Sequence, residues 1–445
     1  MLACKDICYS LVTVMLFAVA ADIKRHHSDW LWFLAEDQAH TLGVEYDSIA
    51  QSIASGRGFS DPFHSNSGPT AWMPPIQPLF LAGIYSFWKT RERVSQFIVG
   101  FQCFVAFLTG LLVLQEMRRL GRPFIGYIVF PCCLLISFHH VFQSTHDFGI
   151  LGLFVCVLWW TFSRSPSPGK SSMATWGSGI IGGLAVLGTP VLGLVWLALL
   201  LAKMWQFRRV RYLPERGPVL HFFAPLAIAA ALTTPWTIRN LLVLDTLVPV
   251  KSNAGYELWL AQCIDDDGVL DSQTFRKHVR KRNSEAGKRY REVGEIVFVR
   301  EMRARAFEAI GSDPRSYLGR VMNRALAMFL IYRPARKTDS SSLIQVIFPL
   351  PFIGFLIVMV AGYNRRNQGF LTASLICLVG HLPYLLISYY PRYSSPFMLT
   401  SMLWLGYGIH DISSIGCSLV YNIRRSRQEG ECVNRSLEAP LTSDK

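Results

Sequence analysis

Apolar runs long enough to cross a lipid bilayer recur through most of this chain, and they restrict its possible folds more than any other feature. The hydrocarbon core of a bilayer requires roughly 20 consecutive apolar residues in helical form. Because backbone groups in lipid must be hydrogen-bonded internally, each such run predicts an α-helix. Charged residues make up 17% of the 445 residues, below the share of about 25% that is typical of soluble domains. The sequence therefore predicts an all-α polytopic membrane protein.

The apolar runs predict about ten membrane-spanning helices. They cover residues 7–23, 94–115, 123–140, 148–163, 174–189, 190–206, 218–236, 342–362, 370–388 and 395–414. The stretches 75–90 and 319–334 are expected to lie along the membrane interface, because arginines interrupt the second of them. Cleavage of the first run as a signal peptide is the alternative to a retained first helix.

Basic residues cluster in short segments between the apolar runs, which favours a cytoplasmic location for these segments and for both termini. This topology places two long loops, 24–93 and 237–341, on the outer, non-cytoplasmic face. Long structured loops usually carry function. Residues 1–425 then form one membrane domain, and residues 426–445 form a polar cytoplasmic tail that is expected to be disordered.

The formal net charge is +14. The cytoplasmic bias of Lys and Arg explains part of this excess, and anionic lipid headgroups or a phosphate-bearing substrate would explain the rest. Nucleic acid is not an expected partner, because no basic patch belongs to a recognisable reading module. The ten cysteines show neither metal-ligand spacing nor a disulfide pattern. No cofactor is predicted, and a bound divalent metal ion is kept as an alternative.

The first long loop begins with a pattern typical of a short amphipathic helix. Ile49 and Ile53 are four residues apart, and Glu45 lies in the first turn. Glu45 is either an acid that stabilises the helix start or a general base at the mouth of a cavity. Farther on, four prolines between residues 69 and 78 predict an extended path, with Trp72 at the membrane interface.

Arginines lie at the predicted outer ends of two spans, where a charge usually has a partner. Arg239 lies at the start of the second loop, and Arg392 lies between the last two spans. Each either extends to the lipid headgroups or binds a phosphate through its guanidinium group. The pattern of residues 285–310 predicts a helix that acts as a lid or scaffold.

Two polar clusters invite a metal-site interpretation. Asp265-Asp266-Asp267 lack EF-hand spacing, so a solvated turn is the favoured interpretation. His139, His140, His146 and Asp147 surround a turn between two predicted spans, where structural or substrate-contact roles are favoured over metal binding.

Several of these segments together resemble the bacterial GT-C membrane glycosyltransferases, the superfamily of the dolichyl-phosphate-mannose–protein mannosyltransferases and the aminoarabinose transferases. The resemblance rests on residues 46–59, on Pro69-Thr70-Ala71-Trp72 with Pro74-Pro75, on residues 235–240 followed by 249–253, and on Arg392-Tyr393 before Pro396. It implies a GT-C-like helix bundle in the inner (cytoplasmic) membrane of a cell. It also implies transfer of a sugar, with inversion, from a polyprenyl-phosphate carrier to an acceptor hydroxyl on the outer face. The acceptor would be a lipid, a polysaccharide or a protein, and membrane lipids would be further partners.

The resemblance also implies roles for individual residues. Glu45 corresponds to the acid that deprotonates the acceptor, with Asp47 as the second choice. Arg239 and Arg392 correspond to contacts with the donor phosphate, with Lys251 as a weaker third. The possible substrate contacts are Tyr46, His146, Asp147, Asn240, Asn253 and Glu257, and no residue is assigned to a metal.

The sequence departs from the family pattern at two positions. Many relatives carry Asp three residues before the first-loop Tyr, where this chain has Gly43, and many carry Thr-Glu where it has Thr145-His146-Asp147. Either the acid has moved to Glu45 or Asp47, or the chain is a catalytically inactive member of the fold. A transporter or flippase for a lipid-linked glycan is the main alternative from another class, but it would place charges near the bilayer midplane. The predicted spans are nearly free of charge, which favours an enzyme.

Overall fold

The computed structural model describes ten segments of the chain. These are residues 4–27, 43–63, 67–138, 141–142, 148–164, 171–209, 217–271, 274–281, 283–330 and 342–437. The residues of these segments are 81% helical, and no strand is formed among them. Extended backbone pairs only at two isolated bridges, Ser60 with Pro69 and Val269 with Tyr389. The predicted all-α class is confirmed.

The α-helices of the described segments are numbered in chain order. They are α1 (Cys4–His27), α2 (Val44–Ala54), α3 (Ile76–Phe87), α4 (Arg91–Arg119), α5 (Pro123–Ile136), α6 (Phe148–Phe162), α7 (Ser171–Gly188), α8 (Pro190–Arg209), α9 (Gly217–Leu244), α10 (Ala254–Trp259), α11 (Glu285–Ser312), α12 (Pro314–Phe329), α13 (Ser342–Ile347), α14 (Leu350–Ala361), α15 (Gln368–Leu386) and α16 (Met398–Leu437).

Among the described residues, four helices are long and apolar enough to cross a membrane. They are Cys4–Ala21, Arg91–Arg119, Phe222–Leu244 and Gln368–Leu386. Six further apolar helices are shorter, at 10–17 residues. Their length and composition fit a membrane protein, and the number of about ten spans stays a prediction.

Most helices lie where the apolar runs predict them, with three differences. Helix α9 continues to Leu244, past the predicted end at 236, so Arg239 lies inside it. The predicted span 342–362 is divided near Pro349, whose ring nitrogen has no hydrogen to donate. Helix α16 continues to Leu437, whereas residues 426–445 were expected to be disordered. Arg, Gln and Glu are good helix formers and occur in this stretch, and no proline interrupts it.

The two long loops pack on the same end of the helix bundle. Near the start of α4, Arg91 pairs with Asp47 of the first loop at 2.6 Å, and near its far end Glu116 accepts from the Tyr407 hydroxyl at 2.6 Å. Helix α15 runs in the opposite direction. Asn367, which caps its beginning, also accepts a hydrogen bond from the Tyr407 hydroxyl. The carbonyl of Leu386, at its end, accepts from the Tyr317 hydroxyl of the second loop.

An aromatic cluster joins the two loops into one body. Phe63 and Trp72 of the first loop contact each other at 5.0 Å between ring centroids, and Trp72 lies 5.2 Å from Tyr256 of the second loop. Phe63 also contacts Tyr290 at 5.3 Å. Trp72 is 1% exposed, so its predicted place at the membrane interface is wrong. Partner rings from the second loop, far away in sequence, enclose it instead.

Candidate functional site

A cavity of about 660 Å³ lies where the bundle meets the two loops. One part of its wall is apolar and comes from the bundle: Leu151 of α6, Val186 of α7, Val191, Leu194 and Leu197 of α8, and Leu226 of α9. The other part carries charged and polar side chains from the loops: Glu45, Lys251, Glu257, His278 and Arg392. The cavity therefore suits a ligand with an apolar body and a polar, charged end.

Glu45 reaches the cavity because α2 begins at a sharp turn. Gly43, the residue that caps the helix, has φ 78° and ψ 112° and itself lines the cavity. An L side chain is strained at these angles. An Asp at position 43 would therefore require a different backbone, and the carboxylate presented to the cavity from this turn belongs to Glu45.

Asp47, the second choice for the base, faces the opposite way. It is 1% exposed and accepts from the Tyr85 hydroxyl at 2.5 Å and from Gln51 Nε2 at 3.0 Å. Arg91 Nη2 lies 2.6 Å from Asp47 Oδ2, the oxygen that also accepts from Gln51. Asp47 does not line the cavity, and these contacts make it an anchor of α2 on α3 and α4.

Lys251 and Arg392, from distant parts of the chain, line the cavity together. Lys251 follows Val250, whose carbonyl accepts from Trp236 Nε1 at 2.9 Å, and precedes Ser252, whose N–H donates to Ala71 O at 2.9 Å. Arg392 lies in a short 3₁₀ helix, Pro391–Phe397, between α15 and α16. Its guanidinium carbon lies 5.2 Å from the centroid of the Tyr390 ring.

Glu257 of α10 lies close to both cations. Its Oε2 accepts from the Ser388 hydroxyl at 3.1 Å. Desolvation raises the pKa of the Glu257 carboxyl above its usual range, and the positive charges of Lys251 and Arg392 act in the opposite direction. Glu45, like Glu257, is a lining residue, so two negative and two positive side chains line this cavity.

His278 is a cavity residue that the sequence did not single out. The side chain is buried, and its Nε2 lies 4.0 Å from Glu45 Oε1. Burial and the charges of Arg280 and Arg392 lower the pKa of the imidazole well below its usual value. The sequence signal is weak, since His278 lies among basic residues that indicate only a solvated loop.

Arg239 is not brought together with Lys251 and Arg392. It does not line the cavity, and its guanidinium donates to Thr70 O at 2.6 Å and Phe59 O at 2.7 Å. Its neighbour Asn240 is buried and donates to Val248 O at 2.9 Å. These contacts hold the first loop against α9, so the geometry assigns both residues a structural role in place of the predicted phosphate and substrate contacts.

The remaining predicted contact residues divide into two groups. Tyr46 and Asn253 line the cavity, and their role as substrate contacts stays a prediction. His146 and Asp147 lie outside the described residues, together with His139 and His140.

Asp265-Asp266-Asp267 is only partly the solvated turn that the sequence favours. Asp266 is exposed, but Asp265 and Asp267 are buried. Asp265 Oδ1 accepts from the N–H groups of Asp267 and Gly268 at 3.0 and 2.9 Å, and Asp265 Oδ2 accepts from the Thr274 hydroxyl at 2.6 Å. The carboxylates fold this turn of the second loop.

Glu295 of α11 is a second buried residue that sequence reasoning missed. It accepts from the Thr70 hydroxyl, from Ala71 N–H at 3.0 Å and from the Ser252 hydroxyl at 2.7 Å. Burial raises the pKa of its carboxyl, while these donors act in the opposite direction. Glu295 thereby ties the first loop to the backbone segment that carries Lys251.

Comparison with models of protein families finds no match for this chain, and comparison with curated proteins finds no similar sequence. The interpretation of the cavity therefore depends on its own geometry and chemistry.

Proposed function

We propose that this chain is an integral membrane glycosyltransferase that moves a sugar from a polyprenyl-phosphate carrier to an acceptor hydroxyl. One observation carries the proposal: a carboxylate, Glu45, shares a cavity with two cations, Lys251 and Arg392, and with an aliphatic wall. A lipid-linked sugar phosphate has the matching parts, which are an apolar chain, an anionic phosphate and a sugar.

The chemistry assigns a role to each part of the wall. Glu45 accepts the proton of the acceptor hydroxyl as its oxygen attacks the anomeric carbon of the sugar. The bond from that carbon to the phosphate oxygen breaks, and inversion results because attack and departure occur on opposite faces. Lys251 and Arg392 stabilise the charge on the departing phosphate. The aliphatic side chains of α6, α8 and α9 contact the carrier chain.

The same proposal includes the location of the reaction. The two loops would lie on the outer face of the inner (cytoplasmic) membrane, because the basic segments between the apolar runs favour a cytoplasmic position. Donor and acceptor would then meet at the membrane surface, where the two loops close the bundle.

The test compares binding and transfer in protein reconstituted into lipid nanodiscs. The probes are polyprenyl phosphate, polyprenol without the phosphate, and a panel of polyprenyl-phosphate hexoses and pentoses. Lys251→Ala and Arg392→Ala should each weaken polyprenyl-phosphate binding about 10- to 100-fold, the effect of one charge-assisted hydrogen bond. Polyprenol binding should not change. Glu45→Gln should bind polyprenyl phosphate like the wild type and lose transfer by a factor of about 10² to 10⁴.

Three control variants separate this site from its surroundings. Arg300→Ala and Glu92→Gln, at exposed positions outside the cavity, should bind and transfer like the wild type. Asp47→Asn should lower the thermal unfolding midpoint and leave transfer by the folded fraction intact. Wild-type transfer by Glu45→Gln would refute the assignment of the base. Movement of the lipid-linked sugar across the membrane without release of polyprenyl phosphate would establish the transporter alternative instead.

A further inference from the structure

His278 is held in one place by its surroundings. Its ring lies among the rings of Tyr256, Phe275 and Phe63, with centroids at 5.2, 5.5 and 6.3 Å. Its backbone carbonyl accepts from Lys281 N–H at 3.0 Å and from the Ser284 hydroxyl at 3.0 Å. Contacts to both the ring and the backbone therefore leave the imidazole little freedom to rotate.

The position of the imidazole proton follows from one hydrogen bond. The backbone N–H of Arg280 donates to His278 Nδ1 at 3.2 Å, so Nδ1 must carry a lone pair. A neutral imidazole has one N–H and one acceptor nitrogen, so its proton is on Nε2. The ring is neutral near pH 7, because burial and the nearby charges of Arg280 and Arg392 disfavour the cation. Nε2 is the nitrogen that faces Glu45 Oε1, 4.0 Å away.

We propose that His278 is a positioning residue for Glu45: its Nε2–H holds one carboxylate oxygen and leaves the other oxygen directed at the acceptor hydroxyl. The separation of 4.0 Å is longer than a hydrogen bond. It shortens when the ligand fills the cavity, as catalytic hydrogen bonds commonly do in substrate complexes. A neutral donor suits this task, because a cation would bind the carboxylate more tightly and compete with the acceptor proton.

This inference rests on the proposed function for its kinetic consequence, but the contact itself can be tested without any turnover. Protein labelled with ¹⁵N-histidine is reconstituted in lipid, and the ring signals are recorded by solid-state NMR at pH 7. The signals that disappear in His278→Phe identify the ring. We expect a neutral ring protonated on Nε2, with an Nε2 signal that shifts in Glu45→Gln. A ring protonated on Nδ1, a cationic ring, or signals insensitive to Glu45→Gln would overturn the inference.

The kinetic arm compares two substitutions. His278→Phe fills the aromatic cage without a donor, whereas His278→Gln places an amide N–H near the position of Nε2. We expect His278→Phe to lower kcat about 10- to 100-fold with little change in the donor KM, the cost of a misplaced catalytic group. We also expect it to alter the acidic limb of the pH–rate profile, and His278→Gln to recover most of the rate.

Tyr256→Phe is the matched control for this arm. It removes the hydroxyl that accepts from Val279 N–H at 2.8 Å and thus perturbs the same cage without touching the Nε2 donor. It should keep the wild-type pH profile. Unchanged kcat and pH profile in His278→Phe would overturn the inference while the proposed function stands. Absence of transfer in the wild type would instead refute the proposed function, and the NMR result would still decide whether His278 and Glu45 are coupled.

Discussion

At the scale of single residues, Glu45 and Asp47 show how helix geometry divides neighbouring acids between two tasks. Successive residues of an α-helix are about 100° apart, so residues two apart point in nearly opposite directions. Glu45 therefore faces the cavity, while Asp47 faces α3 and α4 and is 1% exposed. Sequence alone could predict that only one of them lines a cavity, but the choice depends on where α3 and α4 pack.

His278 should make the stability of the protein depend on pH in a predictable direction. Its pKa is lowered well below the usual value in the folded state, whereas an unfolded histidine titrates at about 6.5. Below that pH the histidine of the unfolded chain is protonated, whereas the native ring stays neutral. The free energy of unfolding therefore decreases as the pH falls, by up to about 1.4 kcal/mol per pH unit. Above pH 6.5 this contribution is constant.

Thermal unfolding in detergent from pH 5 to pH 8 measures this effect as a difference between variants. The midpoint of the wild type should decrease below pH 6.5 more steeply than that of His278→Phe. The difference curve removes the contributions of Glu257 and Glu295, whose raised pKa values act in the opposite direction: their stability is present at low pH and is lost as the pH rises. Parallel curves for the two proteins would show that His278 is not a neutral, buried ring.

At the scale of elements, α11 contains a kink that positions a buried carboxylate. Gly294 has φ 76° and ψ 171° inside the helix, a conformation that is almost restricted to glycine. The next residue, Glu295, is buried and accepts hydrogen bonds from Thr70, Ala71 and Ser252. The kink thus places the carboxylate that connects the first loop to the Lys251 segment.

Gly294→Ala should destabilise the protein by about 1–3 kcal/mol, the cost of a strained backbone conformation. A Cβ at this position would meet no atom within 4 Å, so the cost is conformational and not steric. Gly311→Ala, in the same helix and equally open, is the matched control and should stabilise by about 0.5 kcal/mol. Thermal unfolding of both variants measures the contrast, and a neutral or stabilising Gly294→Ala would contradict the strained kink.

The elements were more predictable from the sequence than the contacts among them. The apolar run 148–163 and the pattern of residues 285–310 placed α6 and α11 within a few residues of their observed ends, because both signals are local in the sequence. The resemblance grouped Arg239 and Arg392, with Lys251 as a weaker third, and of these Lys251 and Arg392 line one cavity. The structural role of Arg239 and the contacts of Glu295 depend on partners about 170 to 225 residues away, and no local pattern contains that information.

At the scale of the whole molecule, two independent helices place the long loops on one side of any membrane that the bundle crosses. Helix α4 runs from the end of the bundle where Arg91 contacts Asp47 to the end where Glu116 contacts Tyr407. Helix α15 runs in the opposite direction, from Tyr407 to the second loop. Both helices are long and apolar enough to span. The aromatic cluster of Phe63, Trp72 and Tyr256 could not form if a bilayer separated the loops.

Single cysteines in a variant whose ten native cysteines are replaced by serine or alanine test this arrangement. Ser55→Cys in the first loop, Ser312→Cys in the second and Arg365→Cys between α14 and α15 all lie at exposed positions. A membrane-impermeant maleimide applied to intact cells should label the first two, and should label the third only after the membrane is opened. Labelling of Ser55→Cys and Ser312→Cys from opposite sides would contradict the shared cavity. Labelling of both from the cytoplasm alone would keep the cavity but move the reaction to the inner face, where the lipid-linked donor would have to be supplied from the cytoplasmic leaflet.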